Sequence, residues 1–263
     1  MVRSWKDSLR EDAPESGTAY RHGVRFVGAS TLSQQFYCEA KVENEYRLGE
    51  VPTEGKEIGS GLHDEIFAME KVEREDLIRH IEESPSLTAS FGLSARVGGL
   101  FIAGVPDAVI FENGRPRWVA ELKTTSGDPS RLWPDQALQV KIYGLLLERM
   151  GFDCSNLTLA LIRMKQSGHS PSERESLLLL VRAALMKGEV AGLEQKFAMK
   201  FFLMPYVSSE PGAAITWARD YWLEKREAIP TKAAGKCRSC EFNAVCAHSL
   251  FRPDGAAGRP GGA

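Results

Sequence analysis

Gly104-Val105-Pro106-Asp107, followed through the turn-type tetrapeptide Glu112-Asn113-Gly114-Arg115 by Glu121-Leu122-Lys123, is the stretch on which the reading of the fold turns. Residues 91–97, 100–111 and 118–124 are strand-like runs, and an Asn-Gly pair between two such runs favours a tight hairpin. A three-stranded meander is expected, with Asp107 inside its second strand and Glu121 and Lys123 in its third. Residues two apart in a strand point to the same face, and the hairpin sets the second strand beside the third, so Asp107 can stand next to Glu121. A buried carboxylate is expensive unless something pairs with it. Two carboxylates and an ammonium on adjoining strands make a hard-oxygen site suited to Mg²⁺ or Mn²⁺. The plain alternative is a surface hairpin, because Glu-x-Lys is a common pair and Pro-Asp a frequent turn dipeptide.

Outward from this core, residues 29–47 read as a helix opened by Ser30 or Thr31 as N-cap, and residues 49–55 as a turn. Residues 57–80 read as a long helix with Ile58, Leu62, Ile66 and Met69 at helical spacing. Residues 133–150 return to a helical pattern, 157–164 form a nearly all-apolar strand, 172–187 and 213–228 are further helices, and 196–207 a last strand. This order predicts an α/β sandwich with a mixed central sheet flanked by helices. Residues 1–25, with Pro14, Gly17 and Gly23, read as a loose arm. Residues 26–250 read as one domain, and 251–263 as a Gly/Pro-rich disordered tail.

With 263 residues, 43% hydrophobic and 26% charged, the composition excludes collagenous, coiled-coil and wholly disordered chains. No apolar run approaches the ~20 residues that span a bilayer, and the first residues lack a secretory apolar stretch, so an intracellular (cytoplasmic) protein is expected. The net charge of −2 offers no overall attraction to nucleic acid. Residues 39–83 are strongly acidic and residues 115–165 mildly basic, which permits a polyanion groove without demanding one.

The carboxylate and lysine pattern matches the PD-(D/E)XK nuclease signature. Its chemistry needs these residue types: carboxylates hold a divalent ion that lowers the pKa of a water and balances phosphate charge, and the lysine positions or deprotonates that water. Two further features lie in order around it. His63 follows Gly59-Ser60-Gly61-Leu62, and Gln139 and Tyr143 are i, i+4 neighbours on one helix face. Taken together the chain resembles the RecB branch of these nucleases. The resemblance implies that His63, Asp107, Glu121 and the Leu122 backbone carbonyl hold the catalytic metal, that Lys123 positions the attacking water, and that Gln139 and Tyr143 contact the active site and the DNA strand.

Cys237-Arg238-Ser239-Cys240 is followed by a third cysteine, Cys246. Thiolates at this spacing point to zinc or an iron–sulfur cluster, with Cys38, Cys154 or His248 as fourth ligand. One N-terminal and three C-terminal cysteines around a RecB-like core resemble the CRISPR-associated RecB-like iron–sulfur exonucleases. That resemblance implies a [4Fe–4S] cluster on Cys38, Cys237, Cys240 and Cys246, joining the two ends of the domain. Tetrahedral zinc on the same cysteines is the alternative. Cys154 reads as a spare, partly buried thiol.

Trp133, with Arg131 and Lys141 nearby, suits base stacking with cations on phosphates, although Trp133 equally suits packing of its own loop. The resemblance further implies a substrate of single-stranded DNA ends or overhangs, degraded 5′→3′, and a role in CRISPR adaptation beside the integrase proteins or in DNA repair. Competing expectations are a non-catalytic DNA-binding scaffold and an endonuclease of the same fold.

Overall fold

The computed structural model describes residues 4–10, 19–53, 73–166 and 171–251, with the side chains of residues 171–176 excepted. His63, most of the expected 57–80 helix and nearly all of the expected tail lie outside these residues. In chain order the strands are β1 (Val27–Gly28), β2 (Ser86–Ala89), β3 (Leu93–Val97), β4 (Leu100–Gly104), β5 (Ala108–Glu112), β6 (Arg115–Thr125), β7 (Thr158–Lys165) and β8 (Met199–Pro205). The main helices are α1 (Trp5–Arg10), α2 (Ala29–Tyr37), α3 (Glu39–Leu48), α4 (Arg74–Glu83), α5 (Pro134–Arg149), α6 (Pro171–Lys187), α7 (Ala191–Lys196), α8 (Glu210–Trp222) and α9 (Ala234–Arg238).

The expected meander is divided between two sheets. A five-stranded mixed sheet has the order β2-β5-β6-β7-β8, and a three-stranded sheet the order β1-β4-β3. The run read as one strand over 100–111 breaks at Val105-Pro106-Asp107, because proline has no N–H for a ladder and fixes its own φ. The carbonyls freed at the break are taken by side chains: Tyr143 Oη donates to Val105 O at 3.1 Å and Ser90 Oγ to Pro106 O at 2.8 Å. Asp107 therefore stands just before β5 and not inside a strand. The hairpin between β5 and β6 is as expected. Glu112 pairs with Arg115 across Asn113 (φ 50°) and Gly114 (φ 75°), the left-handed pair that a tight two-residue turn requires.

β6 runs parallel to β7, with α5 as the crossover between them, and β8 closes the edge antiparallel to β7. Side chains alternate between two cores. Val119, Leu159 and Leu161 face α5 together with Ile142, Leu145 and Leu146. Ala120, Leu122, Ala160 and Ile162 face the opposite side with Leu177, Val181 and Leu185 of α6. This is the helix–sheet–helix sandwich that the element order predicts.

Two local expectations are corrected. The helix read over 29–47 is broken at Cys38, whose extended backbone separates α2 from α3. The loose N-terminal arm contains α1, which packs on the core: Trp5 stacks on Phe152 at 5.1 Å between centroids and Leu9 is buried. Cys154 also lies in this core, and burial, then Glu148 and Asp153, pushes its thiol up to about 12. The folded chain thus holds a proton that the unfolded thiol, at an ordinary 9.0, releases; stability from this group is intact below about pH 9 and falls as pH rises towards 12. Iodoacetamide at about pH 8 should leave Cys154 unlabelled in the native protein and label it after denaturation, read by peptide mass spectrometry. Labelling at equal rates in both states would contradict this placement.

Candidate active site

Along β6 the α5-facing side changes character at one point: Val119 is apolar, and then come Glu121 and Lys123. β7 changes one pair later, from Leu159 and Leu161 to Arg163, which lies opposite Lys123. The polar rows lie at the carboxyl ends of two parallel strands, where α/β sheets open their ligand crevices.

Asp107 sits beside this point because Ala108 pairs with Ala120 and the chain arrives from the Pro106 break. Its Oδ2 accepts the Leu122 backbone N–H at 2.6 Å, and the side chain is 5% exposed. Glu121, 4% exposed, accepts Lys123 Nζ and Gln139 Nε2 on the same Oε1, each at 2.7 Å. Gln139 also donates to Tyr143 Oη at 2.9 Å, and Tyr143 Oη in turn donates to Val105 O. A continuous chain of hydrogen bonds runs from Val105 through Tyr143 and Gln139 to Glu121 and Lys123. It ties the segment carrying Asp107 to the strand carrying Glu121, by way of one face of α5.

Electrostatics follow from this packing. Burial pulls the Lys123 ammonium down, but Glu121, with Asp107 and Asp135 behind it, outweighs burial and leaves its pKa raised. Burial, and then the Glu121 carboxylate, hold the Tyr143 phenol far above its ordinary range, so it stays a donor. Two buried carboxylates against one ammonium leave a local excess of negative charge on hard oxygens. That donor set suits a divalent ion such as Mg²⁺ or Mn²⁺. Among the described residues no three His, Cys, Asp or Glu side chains form a group able to hold an ion on their own. His63, the further ligand expected from the sequence, lies outside them.

Gly104 is where this network comes nearest to β4. A Cβ there would stand 2.8 Å from Tyr143 Cε1 and 3.0 Å from Ala29 Cβ. Ala29 is held by its own helix, so the Tyr143 ring must give way. Gly104→Ala should lower stability by about 1–3 kcal/mol and cut any cleavage activity along with it, because Gln139 loses its outer partner. Wild-type melting and activity in this variant would show that Tyr143 does not brace the site.

The strand-contacting role expected of Gln139 and Tyr143 is not what their surroundings show. They are 4% and 3% exposed and turn on Glu121 and Val105, as braces of the site rather than its surface. Lys141 points away to Glu210 of α8, at 2.6 Å. Trp133, half-buried, caps the start of α5 with the exposed Arg131 guanidinium 4.0 Å above its ring. Arg163 was missed in the sequence, although a lone arginine within the apolar run 157–164 was a visible signal.

The cysteines gather elsewhere. Cys38, Cys237, Cys240 and Cys246 line one pocket with Tyr37, Lys41 and His248, and Cys154 is buried in the core instead. The Thr231 N–H donates to Cys38 Sγ at 3.3 Å. The residues flanking Cys38 join the same C-terminal segment. Tyr37 Oη donates to Lys236 O at 2.9 Å and Lys236 Nζ to Tyr37 O at 2.9 Å. Glu39, fully buried, accepts Arg226 on both oxygens at 2.6 Å and the Ile229 N–H at 2.5 Å.

Paired carboxylates and a lysine stand at the open end of a mixed α/β sheet. A sequence model described as the PD-(D/E)XK nuclease superfamily matches residues 27–247, and the chain belongs to that superfamily. Its members are typically nucleases that use Mg²⁺ or Mn²⁺. No curated protein matches the chain. A solved structure described as the crystal structure of SSO0001 is similar to it over 94% of this chain and 96% of its own, at 14% identity and a TM-score of 0.44. No helix among the described residues is long and apolar enough to cross a membrane.

Proposed function

We propose that this protein is a metal-dependent deoxyribonuclease that trims single-stranded DNA ends or overhangs as an exonuclease, in the 5′→3′ direction, and that it is an iron–sulfur member of the CRISPR-associated RecB-like kind. The observation that carries the reading is the arrangement of buried Asp107 and Glu121 with partly exposed Lys123, both carboxylates being oriented by backbone and side-chain donors. Asp107, Glu121, the Leu122 carbonyl and His63 would hold the metal. When bound there, a divalent ion supplies Lewis acidity to an attacking water and neutralises phosphate charge. Lys123 orients that water and offsets charge building on the phosphate. Gln139 and Tyr143 keep Glu121 aimed, and the Arg131–Trp133 pair offers a stacking platform with a cation for the strand.

Cys38, Cys237, Cys240 and Cys246 would hold the [4Fe–4S] cluster. The shared pocket, the thiolate donor set and the Thr231 N–H directed at Cys38 Sγ support that choice. Partners of the integrase type belong to the same proposal. The test is digestion of 5′- and 3′-labelled single-stranded DNA by anaerobically purified protein with Mn²⁺, Mg²⁺ or EDTA. Metal-dependent loss of the 5′ label first is expected. Cleavage of closed circular single strands would turn the reading to an endonuclease, and binding without cleavage to a scaffold. A colourless preparation containing zinc would replace the cluster.

A further inference from the structure

Arg163 carries a cost that packing does not explain. It is 4% exposed near the carboxyl end of β7, in register with Lys123 and therefore on the same face. Among the described residues no carboxylate reaches it as an ion pair, and its buried Nε has no hydrogen-bond partner. A methionine or leucine would fill such a place without burying a charge. The guanidinium instead donates from Nη1 to two backbone carbonyls of one loop, those of Asp128, at 3.4 Å, and Arg131. This loop leads from the end of β6, just past Lys123, to the start of α5. It is pinned on its outer side by Asp128, which accepts the Ser130 N–H at 2.9 Å. At its far end stand Arg131 and Trp133, stacked on one another.

We propose that Arg163 is a positioning residue: from β7 it holds the 128–133 loop against the sheet, so that the Arg131–Trp133 pair is fixed at the mouth beside Lys123 to receive a single-stranded nucleic acid. Arg163 touches no substrate and acts through that pair. The proposal rests on the nuclease reading for the identity of the strand, and its loop component stands independently of it.

The experiment compares wild type with Arg163→Met, Arg163→Lys, Trp133→Ala and the Arg163→Met/Trp133→Ala double variant. Loss of hydrogen bonds from a charged donor should open the loop about tenfold more often, so trypsin should nick Arg163→Met after Arg131 about tenfold faster than wild type, with Arg163→Lys between them. The Kd for a fluorescent single-stranded oligonucleotide, measured in EDTA, should rise about tenfold in Arg163→Met and in Trp133→Ala, and no further in the double variant. With Mn²⁺, KM should rise by the same factor while kcat stays within about threefold.

Unchanged nicking, multiplicative losses in the double variant, or a fall in kcat at constant KM would each overturn the proposal, as would a wild type that does not bind the oligonucleotide. If wild type binds but never cuts, the nuclease reading fails, and nicking and Kd still decide the role of Arg163. Should Arg163→Met fail to fold, Arg163→Lys and Trp133→Ala carry the same comparison.

Discussion

Lys123→Met and Asp107→Asn should each lower metal-dependent DNA cleavage by roughly 10²–10⁴-fold while the protein stays folded. Asn is nearly isosteric with Asp and keeps an oxygen for the Leu122 N–H, so the local strand geometry survives. What it removes is one of the two negative charges that the proposed metal site relies on. Lys123 is partly exposed, and losing its ammonium leaves Glu121 still bonded to Gln139, so melting should shift by only a few degrees. Single-turnover cleavage with Mn²⁺ alongside thermal melts tests both variants. Near-wild-type rates in either one would remove that residue from the chemistry.

The second large effect concerns stability. Glu39→Ala should cost about 3–5 kcal/mol, because it leaves Arg226 and the Ile229 N–H without the carboxylate that satisfies both. For a chain of this size that corresponds to a fall in melting temperature of roughly 10 °C. The Arg226 guanidinium also lies 4.7 Å over the Trp217 ring, so the segment from Arg226 to Ile229 should loosen with it. Faster hydrogen exchange across that segment and the following cysteines, in metal-free protein, is the accompanying signature. A variant as stable as wild type would mean that this clamp does not hold the two ends of the fold together.

Much of the site was open to reading before any tertiary structure. The Asn113-Gly114 turn declared its hairpin because few other pairs accept two left-handed residues. Glu121 and Lys123 declared a common face through the strand period, and Gln139 and Tyr143 a common helix face through theirs. The cysteine spacing suggested a thiolate site, and the four cysteines do line one pocket. Other features gave no local sign. Pro106 looked like part of a long strand, although it is the break that lets Asp107 reach β6. Glu39 looked like any acidic residue on a helix, and Cys38 showed nothing of the interruption it occupies.

The division has a physical reason. Turn chemistry and residue period are properties of neighbours in the chain, so the sequence by itself determined the sandwich class and the common face of Glu121 and Lys123. Register, burial and partners depend on segments far apart in the chain. Arg226 meets Glu39, Arg163 meets the carbonyls of the 128–133 loop, and Tyr143 meets Val105 through contacts that exist only once the sheet and its helices have closed. The tertiary structure alone therefore decided that Gln139 and Tyr143 brace the site from within, and that a buried arginine holds the loop at its mouth.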